Sequence, residues 1–242
     1  MLKRFYCLIS LLLNNMVLEL YAFGPSPPCR CVKMVLKALQ LDFEVKSVDL
    51  ITKEHKTDGF AQLNPRQKVP CLRDGDYVIS ESRAIAAYLC NKFSGDHLYP
   101  SQPEKRGTVD QLLYVSENVV DMIQEYVNFV GVVFFGGKIK KENVAVAKRA
   151  LGFIEGYLTD REFTAADHVT IADFFLSSPM SMLEIAGFDI APEFPKTAAW
   201  LDKIKALPYF DECNKKGLET MTKMYETKGQ CFNNDQKVKK DD

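Results

Sequence analysis

The hydrophobic pattern of this 242-residue chain changes near residue 95, and that change most constrains its fold. Before it, short strand-like and helix-like segments alternate; after it, no strand pattern remains and long stretches have helical spacing. The segment "VLELYAF" at residues 17–23 is apolar except for Glu19, as in a buried strand. A helix is predicted at residues 29–40, and the alternating "FEVKSVDL" predicts a second strand after it. The pattern therefore predicts a small α/β unit followed by an all-helical unit.

The remainder of the first unit has the pattern of a hairpin and a helix. The stretch "VPCLRDGDYVISES" contains two short strands around Asp74-Gly75, a common hairpin turn, and Ser80 or Glu81 begins the next helix. The order β-α-β, then β-β-α, is that of a thioredoxin-like domain, whose first two strands are parallel because a helical crossover joins them. The predicted fold class is thus α/β plus all-α, with an N-terminal thioredoxin-like domain and a C-terminal all-helical domain.

These patterns divide the chain into five parts. They are an extension outside the fold (1–15), the thioredoxin-like domain (16–95), a linker (96–105), the helical domain (106–228) and a disordered tail (229–242). In the second domain we expect helices over 106–130, 141–158, 170–186, 195–206 and 210–226, with Gly136-Gly137 ending the first. "TIAD" has capping-box spacing from Thr170 to Asp173, which we interpret as a well-capped buried helix rather than a chemical site.

The N-terminal "MLKRFYCLISLLLNN" has two basic residues followed by a nine-residue run, Phe5 to Leu13, that is apolar except for Ser10, as in a signal peptide. No small-x-small cleavage site follows, so we expect an extension on a cytoplasmic protein. A secretion signal or membrane anchor is the alternative.

A net charge of −1 favours neither nucleic acid nor an anionic membrane as partner. Seven scattered cysteines, three histidines and no CxxC or HxxxH motif predict a reducing compartment, with no disulfide framework and no metal.

Three short clusters could carry chemistry. In "SPPCRC", Ser26 precedes a helix and either caps it or donates a hydrogen bond to a bound thiolate, whose pKa would fall; Cys29 and Cys31 offer a weaker thiol-based alternative. In "KVPC", the Val69–Pro70 bond is either cis at a turn, exposing the valine backbone to a peptide, or an ordinary edge-strand bond. In "ESR", residues 81–83 form either an anion site suited to a carboxylate or a plain helix cap.

Taken together, "LYAFGPSPPCR", "VDLITKEH", "LNPRQKVPCL", "ESRAIAAYL" and "TIADF" resemble a cytosolic glutathione transferase of the insect delta/epsilon type, from Val17 to about Tyr225. The resemblance implies that glutathione is the co-substrate and that Ser26 holds its sulfur as a thiolate. It implies these further glutathione-binding residues: His55 near the glycine end, Gln67, Lys68, Val69 and Pro70 along the cysteinyl part, and Glu81, Ser82 and Arg83 at the γ-glutamyl end. Gln67 stands where the family commonly has histidine.

A hydrophobic electrophile would then lie between the two domains, against the first long helix of the second. Its candidate contacts are Phe23, Pro27, Met122, Tyr126, Phe129 and Phe134, although an aromatic stripe on a helix is also typical of a protein core. Glu125 would influence substrate choice only if it faces this pocket.

The predicted protein is a homodimeric, detoxifying glutathione transferase that conjugates the glutathione thiolate to small hydrophobic electrophiles. Two alternatives stay open. One is a non-catalytic carrier of hydrophobic ligands on the same fold, and the other is a glutathione-dependent thiol-disulfide exchanger that uses Cys29 or Cys31.

Overall fold

A computed structural model describes residues 17–228 of the chain, so the predicted N-terminal extension and C-terminal tail lie outside the described residues. The first domain contains β1 (Leu18–Ala22), α1 (Pro27–Ala38), β2 (Phe43–Ser47), a 3-10 turn (Glu54–Lys56), α2 (Asp58–Leu63), β3 (Cys71–Asp74), β4 (Tyr77–Ser80) and α3 (Ser82–Lys92). The second contains α4 (Pro103–Val127), α5 (Phe129–Phe135), a 3-10 turn (Lys141–Asn143), α6 (Val144–Tyr157), α7 (Ile171–Ser177), α8 (Met180–Ile185), α9 (Pro195–Lys205) and α10 (Phe210–Lys228).

The four strands form one mixed sheet in the order β2-β1-β3-β4. β1 pairs in parallel with β2 and antiparallel with β3, and β3 and β4 form an antiparallel hairpin. The hairpin turn follows Asp74, and Gly75 adopts a φ of 63°, which glycine accepts without steric cost. The predicted thioredoxin-like order, the parallel first pair and the Asp74-Gly75 turn are confirmed.

α1 begins at Pro27, two residues before the predicted start. Proline is tolerated in the first helical turn because the amides there have no partner within the helix. α4 likewise begins at Pro103, within the segment predicted as linker, because the Gln102 side chain caps it by accepting a hydrogen bond from the Lys105 backbone N–H.

The prediction that the first long helix continues to Gly136-Gly137 was wrong. α4 ends at Val127 because Asn128 adopts a left-handed φ of 50°, and its side-chain amide donates to the Lys138 carbonyl. A separate short helix, α5, follows, and Gly136 ends that one. The helix predicted over 170–186 is also two helices, with Pro179 between them, because proline lacks the amide that would continue the first.

The Thr170–Asp173 prediction is confirmed. The Asp173 carboxylate is fully buried, and one oxygen accepts from the Thr170 backbone N–H at 2.8 Å and from its hydroxyl at 3.0 Å. The other accepts from the backbone N–H and hydroxyl of Thr164, both at 2.8 Å, and from the Trp200 indole N–H at 3.0 Å. This one carboxylate therefore ties the start of α7 to the preceding loop and to α9.

Candidate active site between the two domains

A cavity of about 470 Å³ lies between the two domains. The thioredoxin-like domain contributes Pro27, Pro28, Cys31, Arg66, Lys68, Glu81 and Arg83; the helical domain contributes Glu117, Val120, Asp121, Gln124, Phe175, Ser178 and Met182. The size is that of a pocket for a small molecule or short peptide. Four of the sequence-predicted site residues line it directly: Pro27, Lys68, Glu81 and Arg83.

Ser26 immediately precedes Pro27 at the edge of this cavity and is half-buried. It occupies the N-cap position of α1, yet its hydroxyl makes no capping hydrogen bond. Pro27 and Pro28 occupy the first two helical positions and have no N–H, so they remove two of the amides that a helix start normally presents. The Ser26 hydroxyl is consequently a main hydrogen-bond donor at this helix start, where the helix dipole also favours negative charge.

The two nearby thiols are poor nucleophiles. Burial raises the pKa of Cys29 to about 11, although the Ser26 hydroxyl and the Phe23 backbone each lower it. Burial also raises the pKa of Cys31, whose thiol donates to the Phe174 carbonyl at 3.1 Å. Because the thiolate is the reactive form, neither cysteine suits thiol-disulfide exchange.

The loop before β3 presents backbone groups beside the cavity. The Val69–Pro70 bond is cis, as the sequence suggested, and Gln67 has a φ of 51°. Asn64, which is buried, holds the loop: its amide donates to the Lys68 carbonyl at 2.7 Å and its oxygen accepts from the Arg66 N–H at 3.0 Å. Within residues 17–228, neither the N–H nor the C=O of Val69 has a hydrogen-bond partner. An extended peptide could pair with them as an added strand does.

The start of α3 provides a second group of donors. Glu81 is the N-cap residue with a φ of 65°, and Ser82 follows it, buried at the first helical position. The backbone N–H groups of the first helical turn have no partner within the helix, so they suit a carboxylate. The Glu81 carboxylate forms an ion pair with Arg66. Arg66 was not among the predicted site residues. The signal for it was the cation in "NPRQKVP", because this loop lies beside the helix that "ESR" begins.

Arg83 connects the two domains. Its Nε donates to the Leu113 carbonyl and to the Ser116 hydroxyl, both at 2.9 Å, and its guanidinium lies 3.3 Å from the Glu117 carboxylate. Burial lowers the pKa of Arg83, which the Glu117 charge partly offsets. All three of these partners lie on α4.

His55 lies in the 3-10 turn Glu54–Lys56 and does not line the cavity. Its Nδ1 is buried and has no hydrogen-bond partner among the described residues. Burial, followed by the charge of Lys56, lowers its pKa, so the imidazole is mainly neutral near pH 7.

The structure places most of the predicted hydrophobic contacts elsewhere. Met122 is buried in the core, Tyr126 packs edge-on against Phe188, and Phe129 stacks on Tyr225. Phe23 and Phe134 also do not line the cavity, and Glu125 is exposed outside it. α4 instead presents residues 117, 120, 121 and 124, whose spacing of three and four residues places them on one stripe. The aromatic and apolar positions of α4 are mainly core, which was the alternative interpretation.

Two features are absent from the described part of the chain. Among residues 17–228, no three His, Cys, Asp or Glu side chains are grouped so that they could hold a metal ion. None of the helices in that range is both long and apolar enough to span a membrane.

Comparisons with known proteins cover both domains. The family model for the glutathione S-transferase N-terminal domain matches residues 16–91, and the model for the C-terminal domain matches residues 103–208. Glutathione S-transferase D7 of Anopheles gambiae is 33% identical over 214 residues, which cover 86% of this chain and 97% of that protein.

Solved structures agree with the family models. An epsilon-class glutathione S-transferase from the housefly Musca domestica is 35% identical with a TM-score of 0.81, covering 87% of this chain and 98% of that one. A glutathione transferase homologue from Drosophila mojavensis with bound glutathione is 34% identical with a TM-score of 0.82, covering 88% and 98%.

Proposed function

The chain belongs to the glutathione S-transferase family, and from this premise we propose that it transfers glutathione to electrophiles through a thiolate held at Ser26. The reaction forms a bond from the glutathione sulfur to an electrophilic carbon. For an aryl halide, the halide leaves with its electron pair and the thiol proton goes to solvent. The relatives of the insect delta and epsilon classes support this activity.

One observation carries the role of Ser26: its hydroxyl is not used for capping at a helix start from which two prolines have removed amides. A hydrogen bond to a charged acceptor contributes about 1.5–3 kcal/mol. Lowering a thiol pKa by about two units requires roughly 2.7 kcal/mol. One hydroxyl and the α1 dipole are therefore sufficient to bring a glutathione thiol from its ordinary pKa towards neutrality.

The rest of the peptide would occupy the thioredoxin-like wall. The Val69 N–H and C=O would pair with the cysteinyl residue, in the loop that also carries Gln67, Lys68 and Pro70. The amides that begin α3 and the Ser82 hydroxyl suit the γ-glutamyl carboxylate, while the Glu81 carboxylate suits its ammonium group. Arg66, which already contacts Glu81, adds a cation to this end. His55, with its unpartnered Nδ1, is proposed for the glycine end.

The test replaces Ser26 with alanine and follows conjugation of 1-chloro-2,4-dinitrobenzene across pH. We expect a loss of roughly 10- to 100-fold near neutral pH, with the pKa of the bound thiol raised, because one charge-assisted bond is removed. Ser47→Ala, at an exposed serine that ends β2, is the matched control and should keep wild-type rates. Wild-type turnover and an unchanged pH profile in Ser26→Ala would refute the role of Ser26.

Calorimetry and turnover assays on the wild-type protein distinguish an enzyme from a non-catalytic carrier of hydrophobic ligands. A carrier would bind glutathione or a hydrophobic ligand by calorimetry and give no turnover with any electrophile. The thiol-disulfide alternative has less support, because burial raises the pKa of both Cys29 and Cys31.

We further propose that the protein detoxifies foreign electrophiles in the cytoplasm as a homodimer. Tyr77 on β4 and Tyr114 on α4 are large, exposed apolar side chains that a second copy would cover. Light scattering should give twice the 27.5 kDa of one chain. A single-chain mass at micromolar concentration would contradict the dimer and leave the proposed activity intact.

A further inference from the structure

The two walls of the cavity carry opposite charge. The thioredoxin-like wall has three cations, Arg66, Lys68 and Arg83, and one carboxylate, Glu81. The helical wall has two carboxylates, Glu117 and Asp121, and no cation. The peptide that the thioredoxin-like wall would bind is anionic, which matches the charge of that wall. The second substrate, on the opposite side, would therefore meet an acidic surface.

Ion pairs account for most of these charges. Arg66 pairs with Glu81, and Arg83 pairs with Glu117 while also donating to the Leu113 carbonyl and to Ser116. Lys68 and Asp121 remain, and neither forms an ion pair within the described part of the chain. With glutathione bound, Lys68 has an anion beside it. Asp121 has no ion-pair partner among the described residues, and the cation whose charge it influences, Arg83, is already paired with Glu117.

Asp121 lies among groups that suit the apolar part of an electrophile. Val120 precedes it on α4, and Phe175 and Met182 face the same cavity from α7 and α8. Gln124, one turn further along α4, is already used: its amide contacts the Met182 sulfur at 3.0 Å and its oxygen accepts from the Phe129 N–H at 3.2 Å. The helical wall thus combines apolar surface with one carboxylate, Asp121, that forms no ion pair among the described residues.

We propose that Asp121 makes this site select electrophiles that carry a positive charge, such as an ammonium group on an apolar or aryl body. The inference rests on the proposed glutathione transfer and specifies the class of its second substrate. Asp121 is a specificity residue here; it takes no part in activating the thiol. Because its side chain is exposed to solvent at the cavity wall, the attraction is partly screened, and we expect a preference of about threefold to tenfold.

The test uses three aryl chlorides of similar size: neutral 1-chloro-2,4-dinitrobenzene, an analogue with a trimethylammonium group, and one with a carboxylate. For each substrate, kcat/KM of Asp121→Asn is divided by that of the wild type, which cancels the intrinsic reactivity of the substrate. We expect a threefold to tenfold fall for the cation, a change of less than about twofold for the neutral compound, and a rise for the anion. Raising ionic strength should reduce the difference in the wild type.

Glu125→Gln is the matched control, because Glu125 is an exposed carboxylate four residues further along α4 that does not line the cavity. It should change all three values by less than about twofold. Equal effects of Asp121→Asn on the cationic and neutral substrates would overturn the inference while conjugation itself stands.

If the wild type fails to conjugate even the neutral compound, the proposed function fails instead. Calorimetric binding of the cationic and neutral aryl compounds then still tests Asp121. Tighter binding of the cation that is lost in Asp121→Asn supports the selectivity, and equal binding overturns it.

Discussion

The buried carboxylate of Asp173 allows a direct test of what stabilises the helical domain. Asp173 is fully buried, and its carboxylate accepts five hydrogen bonds, from Thr164, Thr170 and Trp200. The substitution Asp173→Asn keeps the shape but replaces one oxygen with an NH₂ group and removes the negative charge. If the NH₂ group replaces the oxygen that contacts Thr170, it faces the Thr170 N–H, which then has no acceptor.

The magnitude follows from these bonds. An orphaned buried N–H costs about 1–3 kcal/mol, and weakening the three bonds to the remaining oxygen from charged to neutral strength costs about 1 kcal/mol each. Relief from burying a carboxylate offsets part of this, as does rotation of the Thr170 hydroxyl to accept from the new NH₂. We expect a net loss of about 3 kcal/mol, which for a chain of this length lowers Tm by roughly 6–12 °C.

The assay is thermal unfolding followed by circular dichroism at fixed protein concentration and scan rate. Asp202→Asn, at an exposed position on α9, is the control and should shift Tm by less than about 2 °C. A Tm of Asp173→Asn equal to that of the wild type would show that the five bonds do not hold α7 in the way described. Because α7 also carries Phe175 of the cavity wall, activity at elevated temperature should fall with Tm.

Two further predictions test packing around α1. Gly217→Ala would place a Cβ 2.3 Å from the Gly24 backbone oxygen, so we expect a loss of about 1–3 kcal/mol by urea unfolding; an unchanged midpoint would contradict this packing. Gly156→Ala, an exposed helix position with nothing within 4 Å, should instead gain about 0.5–1 kcal/mol. Burial raises the pKa of Cys29 to about 11, so roughly one part in a thousand of this thiol is thiolate at pH 8. Iodoacetamide should therefore leave Cys29 and the equally buried Cys31 unlabelled in the native protein and label both in urea; rapid native labelling in a peptide mass map would refute this burial.

Much of the fold could be predicted from local sequence, because strands and helices have different hydrophobic periods and turns have specific residues. The order of elements, the Asp74-Gly75 hairpin and the Thr170–Asp173 cap followed from such local patterns. The errors occurred where one residue changes the backbone direction inside a continuous apolar run. Asn128 divides α4 from α5, and helical periodicity on either side of it gave no sign of that division.

The polar residues of the candidate site could be predicted from the sequence, whereas the residues of its helical wall could not, for a physical reason. Short motifs placed Ser26, Val69 and Glu81 at the turns and helix starts where backbone and hydroxyl donors collect, because those features depend on neighbouring residues. An apolar stripe, in contrast, indicates which face of a helix is buried, but it does not indicate whether the protein core or a ligand cavity covers that face. Only the packing of the two domains decided that Met122 is core and that Asp121 faces the cavity.

The sequence by itself therefore determined the elements, their order and the polar groups at their ends. The tertiary structure decided which charges meet across the chain, since those pairs join residues far apart in sequence. Arg30 shows this most clearly: it is 2% exposed, and it donates to Asn214 and Ser181 of the other domain. No carboxylate among the described residues pairs with it. Burial lowers its pKa to about 10, which Cys31 and Cys29 only partly offset, and nothing in "SPPCRC" predicts that environment.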